Sequence, residues 1–184
     1  SNNIMFGDKA GYNQTNSNYN IHIGFQAGYS QNIGTYNINI GYLTGYSGIN
    51  NINNIQIGYQ AGYNSIADNN IFFGTNAGLN NTVGTRNIFI GSNSGASLGN
   101  LTLVSTGDDN IFLGSESGAQ NINGFKNVCI GSNTNTLATS TSKNVYIGYN
   151  AGSGSTNSNN VFIGTASDNT KGLGYNNTAG QIFF

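Results

Sequence analysis

Few side chains in this 184-residue sequence are equipped for chemistry. There are six acids (Asp8, Asp68, Asp108, Asp109, Glu116 and Asp168), five basic residues and one histidine, His22. Glycan hydrolysis typically needs two carboxylates held a set distance apart. Asp108 and Asp109, with Glu116 seven residues on, are the only grouping that offers them. The same three are the only candidates for a weak Ca²⁺ site, which takes oxygen ligands. One histidine leaves no Ser-His-Asp triad and no histidine-rich metal site inside the chain. Three copies of His22 around a symmetry axis would be the one way to make a metal or anion ring. Glycine motifs such as Gly45-Tyr46-Ser47-Gly48 lack the strand-to-helix setting of a phosphate loop. Asn13, Asn80, Asn100 and Asn176 lie in Asn-x-Ser/Thr triplets, a weak glycosylation signal in so Asn-rich a chain. The acids therefore read as solvated turn residues, with no catalytic residues, no metal and no cofactor expected.

What would position any site is a repeat. Ten times the chain writes Asn, Ile or Val, a variable residue, a large apolar residue and Gly. The anchor glycines are Gly7, Gly24, Gly41, Gly58, Gly74, Gly91, Gly114, Gly131, Gly148 and Gly164. They are spaced 17, 17, 17, 16, 17, 23, 17, 17 and 16 residues apart. A period of that length held in phase means stacked, nearly identical units. The expected fold is all-β: a parallel β-solenoid of about ten turns, with one insertion near 96–107. That insertion, around Leu98 to Val104, would bulge as a loop, the kind of place where specificity often resides. The solenoid should occupy 1–168, and 169–184 a C-terminal cap or the start of a following domain.

Composition agrees. Only 6% of residues are charged and the net charge is −1, which removes a nucleic-acid footprint as a working idea. No apolar run approaches the roughly 20 residues of a membrane-spanning helix, so no membrane insertion is expected. No signal peptide is visible. A single cysteine, Cys129, excludes an internal disulfide framework.

Inside each repeat, Ile21-His22-Ile23 or Ile55-Gln56-Ile57 alternates with the period of a strand. The flanking apolar pair is read as the solenoid core and the central residue as outward-facing. A small residue three positions after each anchor glycine, such as Ala27 or Thr44, should point inward, giving a flat coil of two short strands and two turns. The Asn before each strand, at Asn3, Asn20, Asn37, Asn54, Asn70, Asn87, Asn110, Asn127, Asn144 and Asn160, is expected to form a hydrogen-bonded ladder. The central residue turns from His22, Asn39 and Gln56 to large side chains. Met5, Phe72, Phe89, Phe112, Cys129, Tyr146 and Phe162 are thus assigned to a subunit interface. Tyr12, Tyr29, Tyr46 and Tyr63, one repeat apart, with Phe25, Tyr42 and Tyr59 beside them, either stabilise the sheet or form a ligand-binding platform for sugar rings.

The phrase Asn54-Ile55-Gln56-Ile57-Gly58-Tyr59-Gln60-Ala61-Gly62-Tyr63 carries a resemblance. Its strand portion is similar to head repeats of trimeric autotransporter adhesins. The fuller phrase resembles repeats of phage and viral tail-fibre proteins, often found upstream of endosialidase-type chaperone domains. It covers residues 1 to about 168. The resemblance implies a left-handed β-roll, a homotrimer, an extracellular location on a cell surface or virion fibre, and attachment to a host-surface glycan or protein receptor. Adhesin repeats are nearer 14 residues, so larger turns are expected here. Three other readings stay open: an end-to-end filament subunit, an ice-binding solenoid, and a glycan-cleaving tailspike using Asp108, Asp109 and Glu116.

Overall fold

The computed structural model describes residues 2–97, 107–137, 139–166 and 182–183. Each repeat contributes one three-residue strand. These are β1 (Ile4–Phe6), β2 (Ile21–Ile23), β3 (Ile38–Ile40), β4 (Ile55–Ile57), β5 (Ile71–Phe73), β6 (Ile88–Ile90), β7 (Ile111–Leu113), β8 (Val128–Ile130), β9 (Val145–Ile147) and β10 (Val161–Ile163). A final short strand, β11 (Ile182–Phe183), pairs with β10. All pair in parallel and in chain order, forming one sheet. The chain is an all-β solenoid. Register repeats without slip: Ile38 faces Ile55, Asn39 faces Gln56 and Ile40 faces Ile57. It holds even across the 23-residue spacing, where Phe89 faces Phe112. The extra residues therefore leave the ladder undisturbed. The insertion itself, at 98–106, lies outside the described residues, as do Asp168 and nearly all of the segment 169–184.

The expected second strand does not form. The rest of each coil is a chain of turns, with only isolated bridges joining Asn18 to Thr35 and Thr35 to Ile52 among the described residues. The turns are tight because each coil holds several left-handed residues. From β2 onward these include the residue two after the anchor glycine, such as Gln26 (φ 51°), and the residue before the ladder Asn, such as Tyr36 (φ 59°). Such φ values cost a residue with a Cβ, so the stacked backbone hydrogen bonds must hold them in place. At the anchor itself no Cβ fits. Gly58 has φ +136°, and a Cβ there would lie 2.5 Å from the Gly74 carbonyl oxygen of the next coil.

The two faces of the sheet are the reverse of the sequence expectation. Phe72, Phe112, Cys129, Tyr146 and Phe162 are 0% exposed and Phe89 is 2% exposed, so these central residues fill the inside of the coil. They are not a surface ridge for another subunit. Met5 alone among them is exposed, at 42%, and β2 is the strand stacked against it. The flanking pairs, expected as core, instead line the outer face, where they are half-buried or exposed. The physical reason is thickness. The second glycine of each repeat packs on the central side chain, and a Cβ on Gly78 would lie 2.7 Å from the Phe72 ring. Opposite these glycines the interior admits one column of strand side chains. The small residues do point inward: Ala27, Thr44, Ala61, Ala77, Ser94 and Ala151 are all fully buried.

Candidate functional site

The asparagine ladder is the spine that fixes everything else. Asn20 Oδ1 accepts the backbone N–H of Asn37 at 2.8 Å, while Asn20 Nδ2 donates to the Gly34 carbonyl at 2.7 Å. The same pair of bonds recurs at Asn54, to the N–H of Asn70 at 2.8 Å and the Ala67 carbonyl at 2.9 Å. It recurs again at Asn110, to the N–H of Asn127 and the Gly124 carbonyl. Each amide therefore satisfies one donor and one acceptor of the backbone around it, a job that needs both halves of the amide. The ladder asparagines from Asn20 to Asn160 are at most 2% exposed, so nothing outside competes for them.

Behind the ladder the interior changes character along its length. In β2 to β4 the inward side chains are His22, Asn39 and Gln56. From β5 they are aromatic: Phe72 stacks on Phe89 at 5.2 Å between ring centroids, and Phe89 on Phe112 at 4.9 Å. Cys129 interrupts the stack before Tyr146 and Phe162, whose centroids are 5.4 Å apart. His22 is held between two amides, with Gln14 Nε2 2.6 Å from its Nε2 and Asn39 Nδ2 3.2 Å from its Nδ1. Burial pushes its pKa down to about 4, so the ring stays neutral at ordinary pH. Being inside its own coil, His22 cannot meet two other copies at a symmetry axis. Burial likewise pushes the Cys129 thiol well above its usual range and the Tyr146 phenol up to about 12.

Two of the three carboxylates grouped as a candidate active site, Asp108 and Asp109, are committed to structure. Arg86 Nε donates to Asp109 Oδ1 at 2.5 Å and its Nη2 to Oδ2 at 3.2 Å, and this hydrogen bonding holds the Asp109 carboxyl below its usual range. Asp108 Oδ1 accepts from the backbone N–H of Thr85 at 2.7 Å and from the Thr85 hydroxyl at 3.1 Å. Asp68 Oδ1 does the same for the N–H of Ile52 at 2.7 Å. The Ser142 and Ser158 hydroxyls accept in the same way from the N–H groups of Phe125 and Ser142. Asp68, Asp108, Ser142 and Ser158 all stand two positions before a ladder Asn and make a second ladder of mixed side chains. Its members share an acceptor oxygen but no residue type, which hides the column from a search for identical residues. Glu116 is exposed and takes no part in it. Among the described residues no group of three metal-ligating side chains comes together. Of the sequon asparagines, Asn13 is exposed and Asn80 is buried, while Asn100 and Asn176 lie outside the described residues.

Two outer surfaces remain. The first is the sheet face, where the first and third residues of β1 to β10 form two unbroken apolar columns. Phe6, Phe73, Ile90 and Ile130 are 76%, 53%, 41% and 39% exposed. The second is aromatic. Tyr12, Tyr29, Tyr46 and Tyr63 stack in one row with centroids 5.0–5.3 Å apart. Phe25, Tyr42 and Tyr59 stack in another at 5.2 Å. A third, shorter stack places Tyr19 on Tyr36, a pair that strand spacing alone does not single out. The Tyr63 hydroxyl is raised above its usual pKa by burial and by the Tyr46 and Tyr42 hydroxyls.

No protein-family model matches the chain, and neither curated proteins nor solved structures give a match.

Proposed function

We propose that this chain is a non-catalytic attachment module of an extracellular fibre and that it works as a homotrimer. The observation that carries this reading is the pair of apolar columns on the outer face of β1 to β10. At one strand spacing per coil they run about 43 Å. A continuous apolar strip of that length and regularity is the mark of a contact surface. Its most natural partner is another copy of the same chain. Copies set parallel about an axis along the solenoid bring rung against rung at identical pitch, so every coil makes the same contact. The threefold number comes from the resemblance to adhesin and tail-fibre repeats. The interface is thereby moved from the central strand residues to the flanking ones. The commitment of Asp108 and Asp109 to cross-coil bonds supports the absence of a hydrolytic role.

The test is absolute mass in solution by sedimentation equilibrium. A homotrimer gives three times the 19.3 kDa of one chain. Ile90→Lys with Ile130→Lys should release soluble monomers that keep the β circular-dichroism spectrum, whereas Tyr149→Lys, off the sheet face, should leave the trimer intact. A monomeric unmodified protein would overturn the assembly.

A further inference from the structure

The aromatic surface is confined to one part of the molecule, and its surroundings say what it meets. Both tyrosine rows end between β4 and β5. Above Tyr59 its column continues as Thr75, and above Tyr63 as Leu79. Over the same coils the interior is polar, at His22, Asn39 and Gln56, and it becomes aromatic where the outer rows stop. Aromatic residues have thus been placed outside where packing does not require them inside. From residue 10 to residue 67 the sequence has no Asp, Glu, Lys or Arg. Charge touches the strip only at its lower end, where Asp8 stands one rung below Phe25 in the same column, and the rings above it carry none to offer an ionic ligand. The strip offers apolar bodies with hydroxyl tips, a combination suited to neutral polar partners.

We infer that this tyrosine-faced flank binds an extended, uncharged β-1,4-linked glycan lying along the solenoid axis. The inference rests on the reading of the chain as an attachment module and adds its ligand class. Pitch supports it. The rings repeat every 5.0–5.3 Å along the axis. In extended β-1,4-linked chains one pyranose follows the next at nearly that interval, so each sugar meets a rung, with alternate sugars turned over. Ring faces inside the rows are occupied by one another. The glycan therefore meets ring edges and hydroxyls along most of the strip. At the upper end of its row Tyr59, 49% exposed, is followed by the smaller Thr75 and no further ring. Ser30 and Ser47, each next in sequence to a stacked tyrosine, place hydroxyl groups one rung apart, and Ser47 in turn donates to Asn64. Individual contacts of this kind are weak, and their repetition on a rigid pitch makes affinity grow with ligand length. Coiled α-1,4-linked chains do not keep the pitch and are excluded by geometry.

The experiment is calorimetric titration of the intact chain with cellohexaose, chitohexaose and maltohexaose, each also as its trimer. Cellohexaose or chitohexaose should bind, more tightly than the corresponding trimer, with affinity unchanged between low and high salt, and maltohexaose should not. Tyr42→Ala with Tyr59→Ala should weaken binding about tenfold or more, while Tyr149→Ala, in the same column but beyond the strip, should leave it unchanged. Thermal melts of each variant separate lost binding from lost folding, and Tyr42→Phe with Tyr59→Phe keeps the rings should the alanine variant fail to fold. Absence of binding to both β-1,4 hexamers overturns the inference in favour of a protein receptor. Equal binding of maltohexaose, or strong salt dependence, also overturns it. A protein trimer that binds no glycan sinks this inference alone, and a glycan-binding monomer sinks the assembly alone.

Discussion

The side-chain amide nitrogen of Asn39 lies 3.2 Å from Nδ1 of His22, one coil apart and wholly inside the solenoid. The other ring nitrogen meets Gln14, and Met5 pairs with His22 from the coil below. None of these neighbours is charged, and the only acids flanking this stretch in sequence are Asp8 and Asp68. Nothing facing the ring stabilises an imidazolium. With a folded pKa of about 4 against 6.5, the unfolded chain binds a proton that the folded chain refuses. Stability is therefore highest above pH 6.5 and falls as pH drops towards 4, by about 3 kcal/mol in all. Urea unfolding at pH 7 and pH 4.5 should register the loss, and His22→Gln should remove most of the slope. An unchanged slope in that variant would assign the acid sensitivity elsewhere.

A second expectation concerns the ladder. Asn54→Ala strips the N–H of Asn70 and the carbonyl of Ala67 of their partners inside a buried seam. Leaving two such groups unpaired should cost about 2–4 kcal/mol. Asn54→Asp keeps the acceptor, loses the donor and buries a charge, and should be no milder. Asn3 makes the same pair of bonds but is only half-buried, so the same substitution there should cost visibly less. Chemical denaturation of the three variants checks the order.

Much of this architecture is legible from spacing. The period, the strand triplets, the anchor glycines, the asparagine ladder and the inward small residues all follow from repeated types at fixed intervals. The faces come out reversed because Ile21-His22-Ile23, taken alone, looks like an apolar pair around a polar exposed residue. Parity holds the correction. Side chains two apart on a strand share a face, so a ladder Asn20 shielded from water carries His22 inside with it and leaves Ile21 and Ile23 outside. The second glycine is a further sign, since Gly28 and Gly78 leave room for something large, namely His22 and Phe72. The mixed ladder of Asp68, Asp108, Ser142 and Ser158 stays hidden because its chemistry repeats while its residue type does not.

The anchor glycines carry their own prediction. Gly58→Ala places a Cβ 2.5 Å from the Gly74 carbonyl oxygen, at a φ of +136° that alanine rarely adopts. Relief requires the two coils to part, so the solenoid should lose cooperative unfolding at that joint as well as stability. Gly154, with φ +79° and no atom within 4 Å of where a Cβ would sit, should tolerate Asn with little change. Thermal unfolding followed by circular dichroism distinguishes the two.

The reversal of faces yields the sharpest comparison, between adjacent residues of β6. Phe89 is 2% exposed and stacked on both sides, by Phe72 and Phe112. Phe89→Ala should open a cavity in a column one side chain wide and cost about 3–5 kcal/mol in the folded chain. Ile90, 41% exposed on the outer face, has little to lose within its own coil. Ile90→Ala should leave the unfolding free energy of a dissociated chain nearly unchanged and act instead on association, lowering the concentration-dependent part of stability. Unfolding measured across a hundredfold range of protein concentration separates these effects. If Ile90→Ala destabilised the chain at every concentration as much as Phe89→Ala, the outer columns would belong to the fold and leave nothing free for a partner.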